Sequence, residues 1–273
     1  MPELPEVTTI ANDLKETLVG ECIFALDVSA EKTLLPSSVK VSNAIIGNKI
    51  LNISRVGKMI SIELESGKHL LIHLKLTGRL LLKKINDPKM QWERAAIHFK
   101  SGKSLRFDDM RLFGYIKLVN NKELLLEKGL LGEDALTINP NEFFNKISQR
   151  NVAIKKVLLD QKVLSGVGNI YANEACFKAR IHPQKTASSL TKEEASNLLS
   201  AIKDVLKKGI LSRGATLSDE MYRDAYGERG GYDQYVLIYD RGGNACVRKC
   251  GGVVQKIQLG GRGTYFCPVC QQL

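Results

Sequence analysis

The chain has 273 residues, 44% hydrophobic and 25% charged, which is enough for one large or two modest domains with cores of their own. Lys and Arg number 40 against 29 Asp and Glu, and the net charge of +11 points away from an acidic small molecule and toward a polyanionic partner. No apolar run approaches the roughly 18 residues of a membrane span, and the acidic start is unlike a signal peptide. Six cysteines in this length do not make the disulfide framework of a small secreted domain, so a cytoplasmic protein with no membrane association is expected.

The chain opens Met1-Pro2-Glu3-Leu4-Pro5-Glu6. If Met1 is removed, as is usual before a small residue, Pro2 carries a free secondary amine. An α-amino group titrates near roughly 7.7 to 8.0 and a lysine near roughly 10.4, so at neutral pH the terminus is the far better nucleophile. Attack on a sugar aldehyde carbon forms a cationic iminium, an electron sink that is later hydrolysed. Glu3 beside it is a carboxyl suited to passing a proton to a sugar oxygen and back. The plain structural reading is a helix with Pro5 at its first position, Glu6 as a first-turn acid, and Val7, Ile10, Ala11, Leu14 and Leu18 at helical spacing.

Short strands follow to about residue 119, at 22–28, 49–56, 59–64, 69–74, 79–85, 95–99, 105–107 and 115–119. They are separated by turns such as Glu65-Ser66-Gly67 and predict a mostly β first domain, a sandwich or barrel. A short helix over 123–128 ends at Gly129, and Gly132-Glu133-Asp134 reads as a linker. Helices are then predicted at Asn139-Pro140, over 152–160 and over 169–179. A longer one opens at the capping box Thr191-Lys192-Glu193-Glu194, so the second domain is helical. Residues 214–232 are rich in Gly, Asp and Arg with few apolar side chains, and predict a long mobile loop.

Three motifs carry chemistry. Cys246 and Cys250, with three residues between them, and Cys267 and Cys270, with two, flank a β-like stretch with glycines at its centre. Four thiolates suit a closed tetrahedral Zn²⁺ that leaves no open position, a structural ion; a rubredoxin-like iron site or disulfides are the alternatives. Gly260-Gly261-Arg262-Gly263 would place Arg262 at an exposed hairpin tip suited to a phosphate. Ser165-Gly166-Val167-Gly168-Asn169 is a glycine-rich turn before a helix, able to offer backbone N–H groups and the Asn169 side chain to an anion, or simply a tight connector. In Asp109-Met110-Arg111-Leu112-Phe113-Gly114, Arg111 and Phe113 project to one side, as an aromatic wedge and a base-pairing guanidinium require; a strand with one core Phe and one surface Arg is the plain alternative. On their own, Lys58 and His73 read as solvent-facing strand residues. The tail from residue 241 has no Asp or Glu and reads as phosphate-binding.

Together these residues resemble the formamidopyrimidine-DNA glycosylase family, within the wider group shared with endonuclease VIII. The resemblance runs from Met1 to Gln271 and includes Ile72-His73-Leu74, Gly166 to Ala172 and Tyr239-Asp240-Arg241 besides the motifs above. It implies an α+β multidomain fold: an N-terminal β-sandwich with its leading helix over 1–130, a helical helix-two-turn-helix domain with a lesion-covering loop over 131–235, and a C-terminal zinc-finger β-hairpin over 236–273. It implies a monomeric, nucleoid-associated bacterial enzyme acting on damaged double-stranded DNA with no nucleotide cofactor. Such an enzyme flips an oxidised purine out of the duplex, removes it, and nicks the strand by β- and δ-elimination. By position, Pro2 would be the Schiff-base nucleophile and Glu3 the proton donor. Glu6 and Glu174 would be supporting acids and Lys58 an active-site lysine, with Lys155 a further lysine at the DNA. His73, Asn169 and Arg262 would contact phosphates, and Leu76, Arg111 and Phe113 would fill the void left by the flipped base. The stretch 216–232 would cover that base. Leu76 replaces a commoner Met, Leu112 replaces a second Arg, and the first zinc knuckle is one residue longer than usual. An oxidised-pyrimidine glycosylase of the endonuclease VIII branch, a non-catalytic zinc-finger DNA-binding protein and an RNA-binding zinc ribbon are the rival readings.

Overall fold

The computed structural model describes residues 1–273, which divide into two compact units, Met1–Gly129 with Gly209–Asp233, and Leu130–Lys208 with Gln234–Leu273.

In the first unit, helix α1 (Leu4–Leu18) buries the apolar positions the spacing predicts, Val7, Ile10, Ala11, Leu14 and Leu18. They pack into one core with two sheets, each buried Ile or Leu contributing roughly 1.5–3 kcal/mol by leaving water. The strands are β1 (Ile23–Val28), β2 (Leu34–Leu35), β3 (Ile50–Val56), β4 (Met59–Leu64), β5 (Lys68–His73), β6 (Gly78–Lys84), β7 (Glu93–Phe99), β8 (Lys103–Asp109) and β9 (Tyr115–Asn120). One sheet runs β1-β7-β8-β6 and the other β2-β9-β5-β4-β3, with inward Ile, Leu and Phe side chains of both sheets in the shared core, the expected sandwich. Helix α2 (Ser38–Ile45) is not expected from the sequence: its β-branched residues favour strand, and only the Ser37 cap, accepting from the Lys40 N–H, marks its start. Helix α3 (Asn121–Gly129) ends where the sequence places Gly129.

The second unit holds α4 (Pro140–Ser148), α5 (Ile154–Leu159), α6 (Asn169–Lys178) and most of α7 (Lys192–Leu211). The predicted linker at 132–134 contributes a two-residue strand, β10 (Glu133–Asp134), parallel to β11 (Leu164–Ser165). The terminal hairpin is β12 (Gln255–Leu259) and β13 (Arg262–Phe266), and it shares a small core with Phe177 and Ile238.

Residues 214–232 are not a mobile loop. Thr216, Tyr222, Asp224, Ala225 and Tyr232 are all buried, and Tyr222 and Ala225 belong to the sandwich core. The segment therefore packs as part of the first unit. Its polar groups are largely satisfied internally, with Thr216 and Asp224 each bonded to backbone groups of the same segment, which composition alone does not reveal.

Candidate active site

The expected site residues fall in two groups, one in each unit. In the first, Pro2 and Glu3 are buried at the start of α1, with Glu3 as the cap residue. The Glu3 N–H donates to Glu6 Oε2 at 2.8 Å, and the Ala215 N–H donates to Glu6 Oε1 at 2.9 Å. Each Glu6 oxygen thus holds a backbone N–H, and the geometry makes Glu6 a bracket for the N-terminal turn. Lys58 sits in the tight turn between β3 and β4 and is only 9% exposed.

His73 ends β5. The Lys75 N–H donates to its Nδ1 at 3.0 Å, which leaves the proton on Nε2. Desolvation first, then the positive charges of Lys75 and Lys58, bring its pKa down to about 3. His73 is accordingly a neutral donor through Nε2 at physiological pH.

Leu76 lies in the turn joining β5 to β6, and Arg111 and Phe113 lie after β8, both exposed. The Arg111 guanidinium sits 4.8 Å from the Phe113 ring centre, so the two do share a side. The segment is a turn, not extended: Leu112 has a φ of +55°. Fully buried Asp109 organises it. Its Oδ1 accepts from the Thr77 hydroxyl and from the Arg111 N–H at 3.2 Å, and its Oδ2 accepts from the Gly114 N–H at 2.8 Å. Since Thr77 follows Leu76, Asp109 ties the Leu76 turn to the Arg111–Phe113 turn. Gly114 is required there, because a Cβ would lie 2.6 Å from Phe107 and 2.9 Å from the His73 carbonyl.

In the second unit, Arg262 is exposed beside the β12–β13 turn, as expected. Lys155, in contrast, is fully buried, its Nζ donating to the Gly263 carbonyl at 2.9 Å and Thr264 Oγ1 at 2.7 Å. Asn169 Nδ2 donates to the same Gly263 carbonyl at 3.1 Å. Both side chains therefore hold the hairpin, and the expectation that Lys155 touches DNA directly is corrected by its burial. Glu174 is also fully buried. Its carboxylate accepts the N–H groups of Leu237, Ile238 and Tyr239 at 2.8–3.0 Å, and burial raises its pKa despite them. It anchors the chain ahead of the hairpin. Asn173, which the sequence does not single out, receives the Tyr265 N–H at 2.8 Å. The available signal is polar residues at Asn169, Asn173 and Glu174 on an otherwise buried helix.

The sulfurs of Cys246, Cys250, Cys267 and Cys270 all lie within 4.8 Å of one another, with Cys246–Cys270 at 3.8 Å and Cys250–Cys267 at 3.5 Å. A tetrahedron with Zn–S bonds of about 2.3 Å has edges of about 3.8 Å, so the set fits one structural zinc ion.

Family models match all three regions: the formamidopyrimidine-DNA glycosylase N-terminal domain over residues 1–116, its H2TH domain over 131–221, and the zinc finger found in FPG and IleRS over 243–273. The formamidopyrimidine-DNA glycosylase of Pelotomaculum thermopropionicum is 38% identical over 281 residues, covering 100% of both chains. The chain belongs to the formamidopyrimidine-DNA glycosylase family. Another family member, from Herpetosiphon aurantiacus, is 38% identical over 99% of this chain and 100% of its own. Among solved structures, the Lactococcus lactis Fpg in complex with abasic-site DNA matches with a TM-score of 0.93 and 30% identity, covering 99% of this chain and 100% of that one. A mutant of the same glycosylase, bound to DNA containing Fapy-dG, also matches at 0.93 and 30%, covering 100% of both.

Proposed function

We propose that this DNA glycosylase of base excision repair removes oxidised purines, 8-oxoguanine and formamidopyrimidines, from duplex DNA and then cleaves the strand as an abasic-site lyase. The observation that supports it most is Pro2 beside Glu3, both buried at the cap of α1, in a chain with the family's full set of domains. With Met1 removed, the Pro2 nitrogen attacks C1′ while the C1′–N bond breaks and the protonated base departs. The amine then gives up its proton, and its lone pair opens the sugar ring, breaking C1′–O4′ as Glu3 protonates O4′; the resulting iminium makes a C2′ proton acidic. Its loss expels the 3′-phosphate, a second elimination expels the 5′-phosphate, and hydrolysis frees the amine. Glu3 shuttles protons to and from the sugar oxygen. His73 and Arg262 bind phosphates, Lys58 lies in the active site, and Leu76, Arg111 and Phe113 fill the space the flipped nucleotide leaves. Arg111 in that position favours a cytosine partner.

Borohydride trapping on a duplex with one oxidised guanine opposite cytosine tests this reading, with mass spectrometry of the N-terminus alongside. A covalent adduct mapped to residue 2 and absent from Pro2→Gly is the expected result. Trapping only on an oxidised-pyrimidine duplex would move the chain to the endonuclease VIII branch. No trapping on either, with Met1 gone, would leave a binding protein.

A further inference from the structure

The segment from Arg213 to Tyr226 runs along a polar stripe on α1. Glu6, Asp13 and Thr17 are spaced by seven and four residues, which puts them on one face of the helix. Each meets this strap. Glu6 receives the Ala215 N–H at 2.9 Å, Asp13 receives Arg213 Nη2 at 2.7 Å, and the Thr17 hydroxyl lies 3.1 Å from that of Tyr226. Arg213 also donates to Asp224 from Nε at 3.0 Å and from Nη2 at 2.5 Å. Its guanidinium thus spans a carboxylate of the helix and a carboxylate of the strap, and those two aspartates are 4% and 1% exposed. Burial disfavours the guanidinium charge, but the two carboxylates outweigh it and hold Arg213 more firmly protonated.

The far side of the strap is fixed to β6, an edge strand. Arg79 donates to the carbonyls of Met221 at 3.0 Å and Glu220 at 3.3 Å, and the Leu82 N–H donates to the Ala225 carbonyl at 2.8 Å. At its start the strap turns at Gly214, where φ is +84° and a Cβ would lie 2.7 Å from Tyr222 and 2.9 Å from Glu6. The next residue, Ala215, is one carboxylate away from the Glu3 N–H, because Glu6 bridges the two.

We infer that Arg213 is a positioning residue for base release: its two-carboxylate clamp sets the strap along α1 and thereby fixes the wall beside Pro2 and Glu3. The inference rests on the activity proposed above. Releasing a base requires the nucleobase to be held while the C1′–N bond breaks, so it depends on the wall. Cleaving a preformed abasic site presents the C1′ aldehyde directly to the amine and makes no use of a base contact.

The test compares wild type, Arg213→Ala and the near-isosteric Asp13→Asn in three assays: base release from an oxidised-guanine duplex, cleavage of an abasic duplex, and trypsin cutting at Arg223 in the strap and Arg229 just beyond it. The expected Arg213→Ala result is faster cutting, base release slower by as much as roughly a hundredfold, as misplacement by about an ångström causes, and abasic cleavage within about threefold of wild type. Asp13→Asn should shift all three in the same direction by less. Unchanged trypsin cutting would overturn the clamp, and equal loss of both activities would overturn the selective role. If wild type itself releases no base, the proposed activity falls, while the trypsin comparison still decides whether Arg213 holds the strap.

Discussion

His73 and Arg262 are both assigned to phosphates, yet they would act by different physics. The His73 ring is neutral, with its pKa at about 3, whereas Arg262 carries a full charge. A charged contact releases a counterion and a neutral donor does not. Arg262→Ala is therefore expected to reduce the slope of log affinity against log salt by about 1, while His73→Ala weakens binding by about 1 kcal/mol with the slope unchanged. Titrating each variant into a duplex at several salt concentrations separates the two. His73 also enters the pH dependence of stability. Its folded pKa lies below the unfolded value of about 6.5, so between these values the unfolded chain binds a proton that the folded chain does not. Its contribution is complete above pH ~6.5 and lost as pH falls toward 3, and denaturant midpoints of His73→Gln should fall less steeply than wild type over that window. A steeper fall would contradict the neutral assignment. None of this is legible in the sequence, where His73 reads as an ordinary strand residue, because the burial and the nearness of Lys58 come from folding.

Among the elements, the hairpin β12–β13 depends on helices α5 and α6 as much as on its own strands. Lys155 and Asn169 share the Gly263 carbonyl, and Asn173 holds the Tyr265 N–H. Lys155→Met leaves Thr264 Oγ1 without the donor at Nζ and should cost about 1–3 kcal/mol, read from the denaturant midpoint. The wedge turns make a parallel case. Asp109→Ala removes the acceptor shared by Thr77, Arg111 and Gly114, and should erode discrimination between cytosine and adenine opposite the lesion while leaving abasic-site trapping intact. Equal discrimination in that variant would show that the turns hold their shape without it. The longer strands, α1 and α4 to α7 are readable because period and capping are local signals, whereas the two-residue strands β2, β10 and β11 carry no period. The roles of Lys155 and Glu174 are not, since their partners lie 108 and 63 to 65 residues away.

For the whole molecule, each unit contains a core of its own, and the metal site belongs to the second. Chelation should lower the unfolding transition of the second unit, with Cys246→Ser doing the same, while the sandwich transition stays in place; calorimetry with and without a zinc chelator reads this directly. The segment 209–233 returning to the first unit is the largest feature the sequence conceals, since Arg213 and Asp13 are 200 residues apart. The Glu3–Glu6 hydrogen bond has a consequence for how the protein must be made and handled. Chain ends normally fray, but here the proline ring fixes one backbone torsion of residue 2 and the bonded N–H of Glu3 restrains the next. The reactive amine would then be held at one of the stiffest points of the chain, with little motion left to lose at the encounter with the sugar. On the proposed mechanism the initiating methionine would act as a one-residue pro-segment, and an affinity tag at that end would keep the enzyme a folded zymogen that binds its substrate without turning it over.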